Sequence, residues 1–169
     1  MQINNNLTPF IETKLSEEDQ RYFDLKIEYI GLSVGNEGSR EAYQRLNQGH
    51  KKETDILHDI NSRYPHLDCY AVLFKPGRLT EGESGPLSNA LSFSETVAIL
   101  EKSLISQFQP CTYNKHDLDF PYNGGVYVSK LKQMERQQIR VTVESPDDYG
   151  RLYSDEVEPA KRHRFQIDL

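Results

Sequence analysis

Hydrophobic and polar positions alternate most clearly near the start of the chain, in the segment YFDLKIEYIGLS. Phe23, Leu25, Ile27 and Tyr29 fall on one side of this segment, and charged residues separate them. Because successive side chains of a strand point to opposite faces, this pattern predicts a half-buried β-strand.

Two helices are predicted farther along the chain. The first is a polar helix over residues 39–64, which has recurrent apolar anchors and is followed by Pro65. The second covers residues 93–108, where Ser92 and Glu95 have the spacing of a capping box at a helix N-terminus.

Short apolar stretches predict further strands at residues 68–74, 125–131 and 137–145, and a short strand in the C-terminal tail. Residues 75–92 are rich in Gly, Pro and Ser, and we interpret them as a loop. The order of elements predicts an α+β fold. We expect a small mixed α/β domain with a central, mainly antiparallel sheet flanked by helices. All 169 residues are expected to form a single domain, 1–169.

Charge and cysteine content narrow the class of protein. The formal net charge of −6 argues against a passive, nonspecific nucleic-acid binder, although the basic run at 161–164 can hold a phosphate backbone. Cys69 and Cys111 have no metal-ligand spacing and are expected to be buried free thiols. The sequence shows no membrane span and no signal peptide, so we expect no membrane association and a cytoplasmic location.

A carboxylate lies at the edge of the apolar face of the helix predicted over residues 93–108. The apolar stripe of this helix consists of Val97, Leu100, Leu104 and Phe108. Glu101 follows Val97 by four residues and therefore borders the stripe. An ordinary boundary glutamate, with its stem packed and its carboxylate in water, is one interpretation. The motifs around Glu101 favour a second interpretation, in which its carboxylate has a functional role.

Three motifs follow one another along the chain. The first is the strand end Tyr29-Ile30-Gly31, and the second is Arg45-Leu46 with His50 on the next helix. The third comprises Glu101, Leu104, Ile105, Phe108, Pro110 and Asn114. In residue types and order, residues 23–115 resemble the GIY-YIG nuclease superfamily.

This resemblance implies a role for each residue of the motifs. Glu101 would hold one Mg²⁺ or Mn²⁺, and Arg45 would bind the scissile phosphate. Tyr29 would activate the attacking water, while His50 would transfer a proton or contact phosphate. Asn114 would fix the site by hydrogen bonding. The implied activity is metal-dependent hydrolysis of phosphodiester bonds in DNA, in defence against or processing of foreign DNA.

The chain departs from the family pattern at one point, because no Gly-Ile-Tyr motif is legible before Tyr29. Arg40 is a rival to Arg45 for the phosphate. An alternative is therefore a catalytically inactive GIY-YIG-like module for binding or protein interaction. An unrelated mixed α/β protein is a further alternative. Residues 116–169 would form a strand-rich C-terminal extension of the catalytic core, and a homodimer or a protein partner stays open.

Overall fold

The computed structural model describes residues 24–32, 51–74, 91–145 and 150–169. The helices in these segments are α1 (Lys51–Arg63), α2 (Phe93–Phe108) and α3 (Gly125–Gln133). The strands are β1 (Leu25–Lys26), β2 (Gln138–Glu144), β3 (Leu152–Tyr153) and β4 (Arg162–Asp168). Of the described residues, those up to Ile30 and from Ser103 form a first compact unit, and those from Gly31 to Lys102 form a second.

The described strands form two sheets of two strands each. In one sheet β1 pairs parallel with β3, and in the other β2 pairs antiparallel with β4. The mixed α+β class is therefore confirmed. A central, mainly antiparallel sheet stays a prediction, because one sheet is parallel and both are small.

The antiparallel ribbon of β2 and β4 has the clearest strand pattern. Val141, Val143 and His163 are buried, and the residues between them along each strand are exposed. The strands predicted in 137–145 and in the C-terminal tail are confirmed. Burial alternates along both strands because one face of this ribbon is packed and the other is in solvent.

Helix α2 has the bounds that the sequence predicts. The backbone N–H of Ser92 donates to Glu95 Oε2 at 2.8 Å, and the N–H of Glu95 donates to Ser92 Oγ at 3.2 Å, as in a capping box. The predicted apolar stripe is only partly correct. Phe108 is buried, but the other three stripe residues are half-buried, and the buried row instead contains Ala98, Ile99 and Ile105. The helical spacing of apolar residues predicts the helix. The surfaces that pack against the helix decide which of its side chains are buried.

Two predicted strands are wrong. Residues 125–131 belong to helix α3, which buries Val128 and Leu131 at the i, i+3 spacing of a helix while Val126 is 78% exposed. This helix starts at two glycines. A Cβ at Gly124 would lie 2.0 Å from Val128 Cγ2, and Gly125 has a φ of +52° that favours glycine.

The second wrong strand is 68–74, which forms no strand and is exposed throughout. Its side chains suit a strand, but a strand also needs a hydrogen-bonded neighbour, and no described strand pairs with it. The strand around Leu25 is shorter than predicted, since only Leu25–Lys26 pairs with β3. The polar helix predicted from residue 39 is described from Lys51 onward, where Ile56 and Ile60 are buried.

The cysteine prediction is also wrong, because Cys69 and Cys111 are both exposed. Cys69 lies in the exposed segment that was expected to be a strand, and Cys111 lies in the turn after α2. Neither thiol is therefore covered by packing. In the described part of the chain, no helix is long and apolar enough to cross a membrane.

Candidate functional site

The chain reverses direction directly after α2, and this reversal positions Asn114. Gln109 adopts a φ of +49°, which ends the helix, and its side-chain amide donates to the carbonyl of Leu118 at 2.6 Å. Pro110 is buried, and its carbonyl accepts a hydrogen bond from the N–H of Asn114 at 3.0 Å. Asn114 is only 5% exposed.

The side-chain amide of Asn114 binds both backbone polar groups of Ile30. Asn114 Oδ1 accepts a hydrogen bond from the N–H of Ile30 at 2.9 Å, and Asn114 Nδ2 donates to the Ile30 carbonyl at 2.8 Å. Because β1 ends at Lys26, the amide supplies at Ile30 the donor and acceptor that a neighbouring strand would otherwise provide. Tyr29, directly before Ile30, is half-buried.

Glu101 makes a comparable contact within the second unit. Its Oε1 accepts a hydrogen bond from the backbone N–H of Leu32 at 2.9 Å. The two residues lie 69 positions apart in sequence, so this bond joins α2 to the segment that follows Tyr-Ile-Gly. Glu101 is half-buried, in keeping with its predicted place at the edge of an apolar face.

Two of the five predicted site residues thus have a backbone partner in or directly after Tyr-Ile-Gly, each within its own unit. Asn114 binds at Ile30, and Glu101 binds at Leu32. The predicted residues Arg45 and His50 lie outside the described residues, as does Arg40. The half-buried phenol of Tyr29 keeps its predicted role as a hypothesis.

Ion pairs anchor the strand that leads to this segment, and sequence reasoning did not find them. Arg151 donates two hydrogen bonds to the Asp24 carboxylate, at 2.8 and 2.6 Å, and this contact raises the pKa of Arg151. Lys26 Nζ lies 2.8 Å from Asp155 Oδ1, and the hydrogen bond to that carboxylate raises the pKa of Lys26. Asp24 and Arg151 are 127 positions apart, so no local pattern could reveal their contact.

Within the first unit, the end of α2 is also held by a contact between two aromatic rings. The ring of Phe108, the last residue of α2, meets the ring of His163 edge-on, with centroids 5.0 Å apart. His163 Nε2 donates to the Leu152 carbonyl at 2.8 Å, since a carbonyl can only accept. Phe108 is 1% exposed, so the end of α2 is buried where it contacts His163 of β4.

The Glu101 carboxylate has the chemistry for a divalent cation. An ionised carboxylate offers about four acceptor positions, and the hydrogen bond from Leu32 uses one of them. A hard cation such as Mg²⁺ takes oxygen ligands and keeps several waters, so one carboxylate suffices as a protein ligand. Among the described residues, no group of three or more His, Cys, Asp or Glu forms a metal-binding cluster.

Within the second unit the Glu101 carboxylate thus binds the backbone of Leu32, and within the first unit the buried Asn114 amide binds the backbone of Ile30. No family model, no curated protein and no solved structure matches this chain.

Proposed function

We propose that this protein is an endonuclease of the GIY-YIG type that hydrolyses phosphodiester bonds in DNA. The observation that carries the proposal is the pair of hydrogen bonds between Asn114 and Ile30. Asn114 ends the third motif and Ile30 is the centre of the first. The resemblance implies that this asparagine fixes the site by hydrogen bonding, and the contact agrees with that role.

Glu101 would hold the metal ion in this proposal. Its half-buried carboxylate would be a ligand of Mg²⁺ or Mn²⁺, since these hard cations prefer oxygen ligands. The bound ion would polarise the phosphoryl group and stabilise the leaving oxygen. The backbone bond from Leu32 would keep the carboxylate in one orientation, which limits the entropy that ion binding costs.

Other roles fall on residues of the first two motifs. The Tyr29 phenol would accept a proton from the attacking water or pass it on. Arg45 would bind the scissile phosphate, because a planar guanidinium offers several donors to phosphate oxygens. His50 would contact phosphate or transfer a proton.

The proposal also includes the wider expectations from the sequence. The core would contain a central, mainly antiparallel sheet flanked by helices, to which the described strands contribute. The protein would act in the cytoplasm, in defence against or processing of foreign DNA. A homodimer would place two such sites on one duplex.

A second candidate function is an inactive module of the same fold. The observation that favours it is that both Glu101 and Asn114 hydrogen-bond to the backbone, so each side chain has a structural role without catalysis. In such a module the same contacts would hold the fold for binding a partner. The two candidates differ in metal-dependent cleavage.

The deciding experiment measures nicking of supercoiled plasmid and cutting of labelled single strands with Mg²⁺, Mn²⁺ or chelator. Wild type is compared with Glu101→Gln, which keeps an oxygen to accept from Leu32 but removes the charge. Tyr29→Phe removes only the phenolic oxygen. The matched control is Glu158→Gln, which removes one exposed carboxylate away from the motifs.

We expect wild type and Glu158→Gln to cleave equally, with cleavage absent in chelator. Glu101→Gln should lower the rate by at least about 100-fold, because a metal contributes several kcal/mol of charge stabilisation. No cleavage by folded wild type on any substrate would favour the inactive module. Cleavage undiminished by Glu101→Gln would overturn the metal site.

A further inference from the structure

The ribbon of β2 and β4 has an exposed face with a basic centre. Its central residues are Arg140 and Thr142 on β2 and Arg164 and Gln166 on β4, all four exposed. Arg140 lies opposite Gln166, and Thr142 lies opposite Arg164. We call these four residues the ribbon face.

The two arginines of the ribbon face form no salt bridge with a described residue and give the face a net positive charge. Their register makes Arg140 and Arg164 diagonal neighbours, at a distance of about 7–8 Å in an antiparallel sheet. No described acidic residue forms an ion pair with either one, whereas Arg162 beside them pairs with Glu144. In the same register Glu144 is diagonal to Arg164, and Asp168 is diagonal to Arg140, so this side of the ribbon carries three arginines against two carboxylates. An anionic partner would compensate the excess positive charge.

The opposite face of the ribbon is firmly packed, so the exposed face is held in a fixed shape. Val141 and Val143 are 6% and 9% exposed. His163 is bound to the Leu152 carbonyl and packs against Phe108. A partner would therefore meet a preformed surface and would not have to order it.

We propose that the ribbon face binds duplex DNA in the major groove. A seven-residue strand is about 23 Å long. A two-stranded ribbon fits the B-form major groove, which is about 12 Å wide. Arginine pairs with guanine edges or phosphates, and glutamine pairs with adenine. Gln166 Nε2 donates to Asp168 Oδ1 at 3.0 Å and would exchange this bond for one to a base. The major groove of A-form RNA is too narrow for side chains to read, so the ribbon face should discriminate against duplex RNA.

This inference rests on the proposed nuclease function for its substrate, while binding through the ribbon needs neither a metal nor cleavage. It can therefore be measured in chelator. The probes are a fluorescein-labelled DNA duplex of about two helical turns and an RNA duplex of the same sequence. Fluorescence anisotropy gives the affinity between about 50 and 200 mM salt.

Arg140→Gln and Arg164→Gln are tested singly and together, and Lys132→Gln is the control. Each single change removes one exposed positive charge, and Lys132 lies on α3 and is not part of the ribbon face. Thr142→Lys adds a charge at the centre of the face. Because a misfolded protein cannot bind more tightly, this gain-of-charge variant separates binding from folding.

We expect each arginine change to weaken DNA binding by about fivefold or more. The slope of the logarithm of the binding constant against the logarithm of the salt concentration should become shallower by about one. The Lys132 variant should bind like wild type, and Thr142→Lys should bind more tightly with a slope steeper by about one. Unchanged affinity in the double arginine variant, or equal affinity for DNA and RNA duplexes, would overturn the proposal. If those variants bind normally while wild type cleaves DNA, the ribbon proposal alone fails. Ribbon-dependent binding without cleavage leaves the ribbon proposal standing and rejects the nuclease.

Discussion

Asn114 binds Ile30 through both ends of its side-chain amide, with hydrogen bonds of 2.9 and 2.8 Å. An amide carries an acceptor and a donor group side by side, so it pairs with a peptide unit much as a neighbouring strand does. This contact joins the reversal after α2 to the segment that follows β1. It links two of the three motifs on which the proposed function rests.

Asn114→Ala should lower the free energy of unfolding by about 2–3 kcal/mol, because two part-buried backbone groups of Ile30 lose their partners. Asn114→Asp should not restore stability, since a carboxylate places an acceptor against the Ile30 carbonyl. Urea unfolding followed by circular dichroism measures both changes. Asn123→Ala, in an exposed turn, is the control and should change stability by less than about 0.5 kcal/mol. Equal stabilities of Asn114→Ala and this control would contradict the role of the contact.

The Glu101 contact predicts a difference between two substitutions. Glu101→Ala should cost about 1–2 kcal/mol of unfolding free energy, because the N–H of Leu32 loses its acceptor. Glu101→Gln keeps an oxygen at that position and should cost less than about 1 kcal/mol. Chemical unfolding of the three proteins tests this. If both variants were equally destabilised, the negative charge, and not the hydrogen bond, would be the stabilising feature.

Phe108 is predicted to be the most sensitive core position of α2. It is 1% exposed and contacts His163, so Phe108→Ala should cost about 3–5 kcal/mol through lost burial and the cavity left behind. Val126, which is 78% exposed on α3, is the control. Val126→Ala should have little effect on the midpoint of unfolding. Thermal and urea unfolding give the comparison. A small loss in Phe108→Ala would mean that the end of α2 is not held by this contact.

The ion pair of Lys26 with Asp155 predicts a loss of stability at high pH. Folding raises the pKa of Lys26 above its ordinary value of 10.5, mainly by the hydrogen bond to Asp155. The stabilisation is therefore complete below that value and is lost as the pH rises through the raised pKa. Its size should be below about 1 kcal/mol, because both side chains are partly exposed.

This pH dependence can be isolated by comparing wild type with Lys26→Met from about pH 8 to about pH 12. The difference in unfolding free energy should be present near neutral pH, vanish at the alkaline end, and shrink at high salt. Lys132→Met serves as the control, since it removes an exposed lysine. A difference that stays constant across this pH range would show that Lys26 contributes through packing of its stem instead of its charge.

The sequence predicted well those elements whose signals are local and complete. The capping pair Ser92 and Glu95 marks the start of α2, and the alternation of Ile139, Val141 and Val143 marks β2. The prediction failed at 125–131, where a short run of apolar residues suits either a strand or a helix. Burial of Val128 and Leu131 resolves that ambiguity in favour of a helix. Exposure of residues 68–74 shows the same limit, because strand propensity alone does not supply a pairing partner.

By itself the sequence determined the start and end of α2, the strands of the ribbon, and the positions of Glu101 and Asn114 in the order of motifs. Only the tertiary structure decided what these side chains contact. The partners of Asn114 and Glu101 lie 84 and 69 positions away, and Arg151 reaches Asp24 across 127 positions. Capping and alternation act over a few residues through the geometry of one element. Long-range hydrogen bonds and ion pairs depend instead on how separate elements pack, which no local pattern specifies.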